Sequence, residues 1–112
     1  MSSIFHSLPE QLVKRAFEWR GEFAWSRDDA IEVMRWMDHH QRLVIGVEVW
    51  IPSPSGPVIP APYVYVWSLE RSRRLPGSET TALDYVQDFC WDANDLKFKD
   101  QQPYFNLTLD RD

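Results

Sequence analysis

Two adjacent histidines, a lone cysteine and a carboxylate inside an apolar run are the residues of this chain with chemical promise. His39 and His40 offer two ring nitrogens, but neighbours on a helix point about 100° apart, whereas paired metal ligands on one helix stand three or four positions apart. With no H-x-x-x-H spacing and no second cysteine, the pair reads as a solvated helix end, and neither a metal nor a cofactor is expected. Cys90 falls inside an amphipathic segment rather than at a helix start beside a base, where thiolate is favoured. It reads as a half-buried small residue, and a single cysteine excludes an internal disulfide. Glu48 lies mid-strand among aromatic residues, where a carboxylate can serve as a general acid or base. The reading taken first is structural, a carboxylate that accepts a hydrogen bond from a tyrosine, a tryptophan N–H or an arginine. No second catalytic group stands at a defined spacing from it, and G-x-S-x-G, G-x-x-x-x-G-K and G-x-G-x-x-G are all absent. No catalytic residue is therefore assigned.

Binding chemistry is better represented. Between Thr81 and Leu96 the apolar residues Ala82, Tyr85, Val86, Phe89, Ala93 and Leu96 repeat at helical spacing. On a wheel of ~100° per residue, Asp84, Asp88, Asp92 and Asp95 gather on the opposite side, with Trp91 among them. A tryptophan ringed by acids suits a basic protein partner, because the ring supplies interface energy while the acids steer association. The other reading is a solvated face whose Trp91 lies flat on a neighbour. Tyr63, Tyr65 and Trp67 share one face of an extended segment and resemble a base-stacking platform, but only Arg71, Arg73 and Arg74 cluster nearby. Nucleic acid is not expected as a partner.

These residues need elements to hold them. Ser7-Leu8-Pro9-Glu10 has capping-box spacing, and Leu12, Val13, Ala16 and Phe17 follow at helical spacing, which predicts a helix from Leu8 to Trp19 closed by Gly21. Ser26 with Asp28 and Asp29 predicts a second helix from Arg27 to His39, its core stripe being Ala30, Val33, Met34 and Met37. Leu43–Ile51 alternates as a strand with Glu48 and Trp50 on one face, and a second strand follows from Val58 to Leu69 after the breaker Pro52–Pro57. The third helix is expected to run about four turns, from Thr80 or Thr81 to Leu96. Tyr104–Leu109 alternates as a last strand, free to pair antiparallel beside the first if the third helix crosses the sheet.

The fold class that follows is α+β, with a small, mostly antiparallel three-stranded sheet covered by helices in the order α-α-β-β-α-β. At 112 residues, positions 1–112 are expected to make a single domain. A net charge of −5 argues against a general phosphate-binding surface and toward a basic partner. No apolar run approaches the ~18 residues of a membrane helix, and Met1–His6 lacks the pattern of a signal peptide, so a cytoplasmic location without membrane partners is expected.

From Ala30 to Leu96 the chain resembles the immunity protein 40 family of bacterial polymorphic-toxin systems. The resemblance lies in a capped helix, Val44-Ile45-Gly46-Val47-Glu48-Val49-Trp50, a Gly/Pro turn, a strand with Pro62-Tyr63 and Trp67, and a helix with Tyr85 and Ala93. It implies a small protein, monomeric or homodimeric, that binds a cognate toxin, such as a nuclease with a basic groove, and blocks its active site without catalysis. On this reading Trp91, Asp84, Asp88, Asp92 and Asp95 are the first contact candidates. Glu48, Trp50 and the loop Pro52–Pro57 come second. The alternatives are a small enzyme working through Glu48, and another kind of protein-interaction module.

Overall fold

The computed structural model describes residues 4–59, 64–66, 81–91 and 97–109. Within them the chain is α+β, but its sheet has five strands rather than three. A 3₁₀ turn (Ile4–Ser7) leads into α1 (Glu10–Arg15). Strands β1 (Phe17–Trp19) and β2 (Glu22–Ser26) precede α2 (Arg27–His39). Then come β3 (Val44–Trp50), β4 (Val64–Val66), α3 (Ala82–Asp88) and β5 (Tyr104–Leu109). The strand order is β1-β2-β5-β3-β4, every pairing antiparallel. The last strand sits beside the Val44–Trp50 strand and antiparallel to it, as its alternation allowed.

The first helix is far shorter than the spacing predicts. Phe17–Trp19 leaves it and folds back on Glu22–Ser26 as a hairpin, with Trp19 opposite Glu22 across the two-residue turn Arg20-Gly21. Both turn residues have positive φ, 53° and 82°, which matches the twist that two-residue hairpins need. Gly21 takes its angle freely; Arg20 is held there with its guanidinium 5.5 Å from the Trp19 ring centroid. The predicted Ser7–Glu10 capping box does not form either, because α1 starts after Pro9, and no side chain caps it. Ser26 does stand at the N-cap of α2, although its hydroxyl donates to Asp29 Oδ2 at 3.3 Å instead of capping a backbone N–H.

Paired residues in a sheet share a face, so the registers sort the side chains. Trp25, Phe105 and Val49 line up across β2, β5 and β3, all fully buried, with Leu107 and Val47 in the next row. The predicted stripe of α2, Ala30, Val33, Met34 and Met37, packs onto this face together with Ala82 and Val86 of α3. Phe5 closes one end against Phe23 and Trp25, and the Trp25 indole donates to the Leu12 carbonyl at 2.8 Å. Its one polar atom is thus satisfied inside the core.

The opposite face carries Phe17, Trp19, Ala24, Asn106, Glu48, Trp50 and Tyr104. Phe17, paired with Ala24, meets Trp50 edge-on, centroids 6.1 Å apart. Asn106, buried, spends its amide on the Phe23 carbonyl at 2.9 Å, one residue before the β2–β5 pairing begins at Ala24. Of the predicted strand Val58–Leu69, Val58 forms an isolated bridge with Ile51 and Val64–Val66 forms β4; Tyr63 and Trp67 lie outside the described residues, as do Arg71, Arg73 and Arg74.

Candidate functional site

The third helix ends two turns in, at Asp88, so the acidic face predicted around Trp91 is not built as the wheel required. Thr81 caps α3: its Oγ1 accepts from Asp84 N at 3.0 Å, and the Asp84 carboxylate accepts from Thr81 N at 3.4 Å. Asp84 is therefore occupied in starting the helix. Phe89 then turns to extended backbone, φ −59° and ψ 133°, and drives its ring into the core edge-on to Phe105, 5.7 Å away. Its carbonyl accepts from Arg27 Nη2 at 2.6 Å. Asp88 is exposed; Asp92 and Asp95 fall outside the described residues.

Trp91 lies past the helix, half-buried. It packs edge-on to Phe89 at 5.0 Å and tilted against Phe98 at 5.3 Å, while its indole N–H donates to the Gln101 carbonyl at 3.3 Å. It covers an aromatic cluster instead of standing clear of the core. Cys90, expected to be half-buried in a helix, is exposed beyond it.

Glu48 and Trp50, two apart on β3, meet directly: the Trp50 indole N–H donates to Glu48 Oε1 at 2.8 Å. Trp50 is only 2% exposed, which makes it a wall of the fold. At the end of α2, His40 stacks on Trp36 with centroids 3.8 Å apart, and its Nδ1 lies 2.8 Å from the Trp36 carbonyl. A carbonyl only accepts, so this Nδ1 carries the proton. Both histidines are exposed.

The segment after Trp50 shows a different kind of site. Ile51 and Val58 exchange two backbone hydrogen bonds of 2.8 Å, closing the loop between them. Inside it Gly56 N donates to Ser53 O at 3.0 Å, and the Ser53 hydroxyl donates to the Gly56 carbonyl. Gly56 sits at φ 120° with the Trp19 ring so near that a Cβ would fall 2.8 Å from it. Ile51 is buried at the base of the loop, while Val58 and Ile59 are each 47% exposed at its far side. Pro52–Ile59 is thus a loop held by its own backbone and by Trp19, with two large apolar side chains turned outward. The proline-rich run signalled a loop; the exposure of Val58 and Ile59 was not visible, because alternation placed Val58 in a strand.

A groove of about 350 Å³ opens between the end of α2, the start of β3 and the start of α3. Met34, Val44, Ala82 and Leu83 give it apolar walls, and Arg35, Arg42 and Asp38 bring charge to it. Arg42 is placed there by the helix end: its N–H bonds Met37 O at 2.8 Å and Gln41 N–H bonds Asp38 O at 3.0 Å. That pairing is a Schellman motif, with Gln41 in the left-handed region at φ 59°. No family model, no curated protein and no solved structure matches this chain.

Proposed function

We propose that this chain works by binding a protein and occluding it, as an immunity protein that neutralises a cognate bacterial toxin, and that the loop Pro52–Ile59 carries the contact. The observation behind this is the loop's pre-organisation: the Ile51–Val58 bridge, the Ser53–Gly56 bonds and the seat on Trp19 hold it while Val58 and Ile59 stay exposed. A loop ordered before binding loses little conformational entropy on association, which is how rigid inhibitory loops gain affinity. A net charge of −5 favours a basic partner such as a nuclease-type toxin. Glu48, the carboxylate on which a small enzyme would depend, accepts the Trp50 indole N–H, which gives it a structural role and weakens that alternative. Asp88 and Trp91 form a second, separate candidate surface.

The experiment is capture of the partner on the tagged chain in its native cells, followed by expression of the captured protein alone and together with this chain. A captured protein that stops growth alone, with growth restored by this chain but not by a Val58→Asp, Ile59→Asp variant, supports the proposal. Rescue by that variant, but not by Asp88→Lys with Trp91→Ala, moves the contact to the second surface. A captured protein that is harmless, or unaffected by this chain, overturns the immunity reading.

A further inference from the structure

The groove at the end of α2 has no part in the loop or in the protein-binding reading, and its chemistry is that of a small-molecule site. Its volume, about 350 Å³, lies at the small end of the ~300–1,000 Å³ typical of ligand pockets. The walls are apolar, from Met34 on α2, Val44 on β3 and Ala82 and Leu83 on α3. Three elements of the fold hold them. Among the described residues, two guanidiniums, Arg35 and Arg42, line the groove against one carboxylate, Asp38, so that lining is positive in a chain of net charge −5.

Arg42 is the telling residue. The Schellman turn fixes its backbone, and its side chain is half-buried, with Nε shut off from water and without a hydrogen-bond partner among the described residues. A guanidinium partly withdrawn from water with its Nε unpaired is unfavourable, and an anion delivered to its outer nitrogens offsets part of that cost. Thr81 adds a hydroxyl: Oγ1 already accepts from Asp84 N, which leaves its O–H to donate.

From these features we infer that the groove binds a small monocarboxylic acid with an apolar tail, the carboxylate against Arg42 and the tail on Met34, Val44, Ala82 and Leu83. Asp38 opposes the anion, and its removal strengthens binding. The test uses hexanoate and 3-phenylpropionate as probes, with hexanamide as the uncharged control, followed by methyl NMR shifts of Val44 and Leu83 in the intact protein. Saturable shifts with the two acids and none with hexanamide are expected. Arg42→Gln is expected to weaken hexanoate at least tenfold, and Asp38→Asn, at an exposed position that leaves the fold intact, to tighten it about threefold. Absence of saturable shifts, equal binding of hexanamide, or an Asp38→Asn variant that binds hexanoate no better than wild type overturns the inference. A folded Arg42→Gln variant with undiminished affinity does the same.

Discussion

Gly56→Ala is the sharpest probe of the loop. Two independent costs meet at this position. The backbone sits at φ 120°, a conformation that L-residues rarely adopt, and such strain costs about 1–3 kcal/mol. The new methyl would also fall 2.8 and 2.9 Å from two atoms of the Trp19 ring and 3.2 Å from a third. Trp19 is only half-buried, so this overpacking is taken at the low end of its range, about 1 kcal/mol. The expected total is about 2–4 kcal/mol, a large share of the ~5–15 kcal/mol that a domain of this size holds. Urea unfolding followed by far-UV circular dichroism reads it directly: at a slope of ~1.5 kcal/mol/M, a 3 kcal/mol loss lowers the midpoint by roughly 2 M. In a Trp19→Ala background the ring is gone and only the backbone term remains, so the two substitutions should couple by at least ~0.5 kcal/mol. A loss below about 0.5 kcal/mol for Gly56→Ala, or strict additivity with Trp19→Ala, would refute the claim that the loop is seated on Trp19.

Substitutions at three other positions test the remaining features. Glu48→Ala should cost about 1–3 kcal/mol, because the buried Trp50 indole N–H loses its acceptor. Glu48→Gln retains a carbonyl oxygen and should lose less than half as much in the same thermal or urea melts. Trp91→Ala should destabilise the fold by about 2 kcal/mol, since the ring is half-buried on Phe89 and Phe98; an unchanged melting temperature would mean that the packing contributes nothing. Gln41→Gly should stabilise by up to about 1 kcal/mol by relieving the left-handed backbone at the end of α2, and a lower urea midpoint would show that the Gln41 side chain compensates for that strain.

What the sequence made legible follows from how far each element depends on its own residues. Helix α2 and strand β5 have the predicted bounds because each carries an unbroken period, 3.6 for Ala30, Val33, Met34 and Met37 and 2 for Phe105, Leu107 and Leu109. The Glu48–Trp50 hydrogen bond was also within reach, since residues two apart on a strand share a face. The β1–β2 hairpin was hidden because Leu12, Val13, Ala16 and Phe17 mimic helical spacing, and its turn is Arg20-Gly21 rather than the Asn-Gly that announces such turns. Helix α3 reads long because its apolar period continues through Phe89. The chain departs there, and the Phe89 carbonyl is taken up by Arg27, a partner far away in sequence that local pattern does not reveal. The contact surface around Trp91 was inferred on that longer helix; Asp88 and Trp91 now stand on either side of the helix end, and Asp92 and Asp95 lie outside the described residues. The pinned loop and the groove beside Arg42 both depend on contacts between distant segments, Gly56 with Trp19 and α2 with α3, which no local spacing encodes.

The proposed mode of action turns on whether Val58 and Ile59 are the anchors of an interface. The most direct measurement is the dissociation constant of the purified complex with the captured partner, for the wild type and for Val58→Asp with Ile59→Asp. Two charges placed on the exposed apolar side of the loop should weaken binding at least 100-fold, about 2.7 kcal/mol, without lowering the urea midpoint by more than about 0.5 kcal/mol equivalent. An affinity within threefold of wild type would contradict the account.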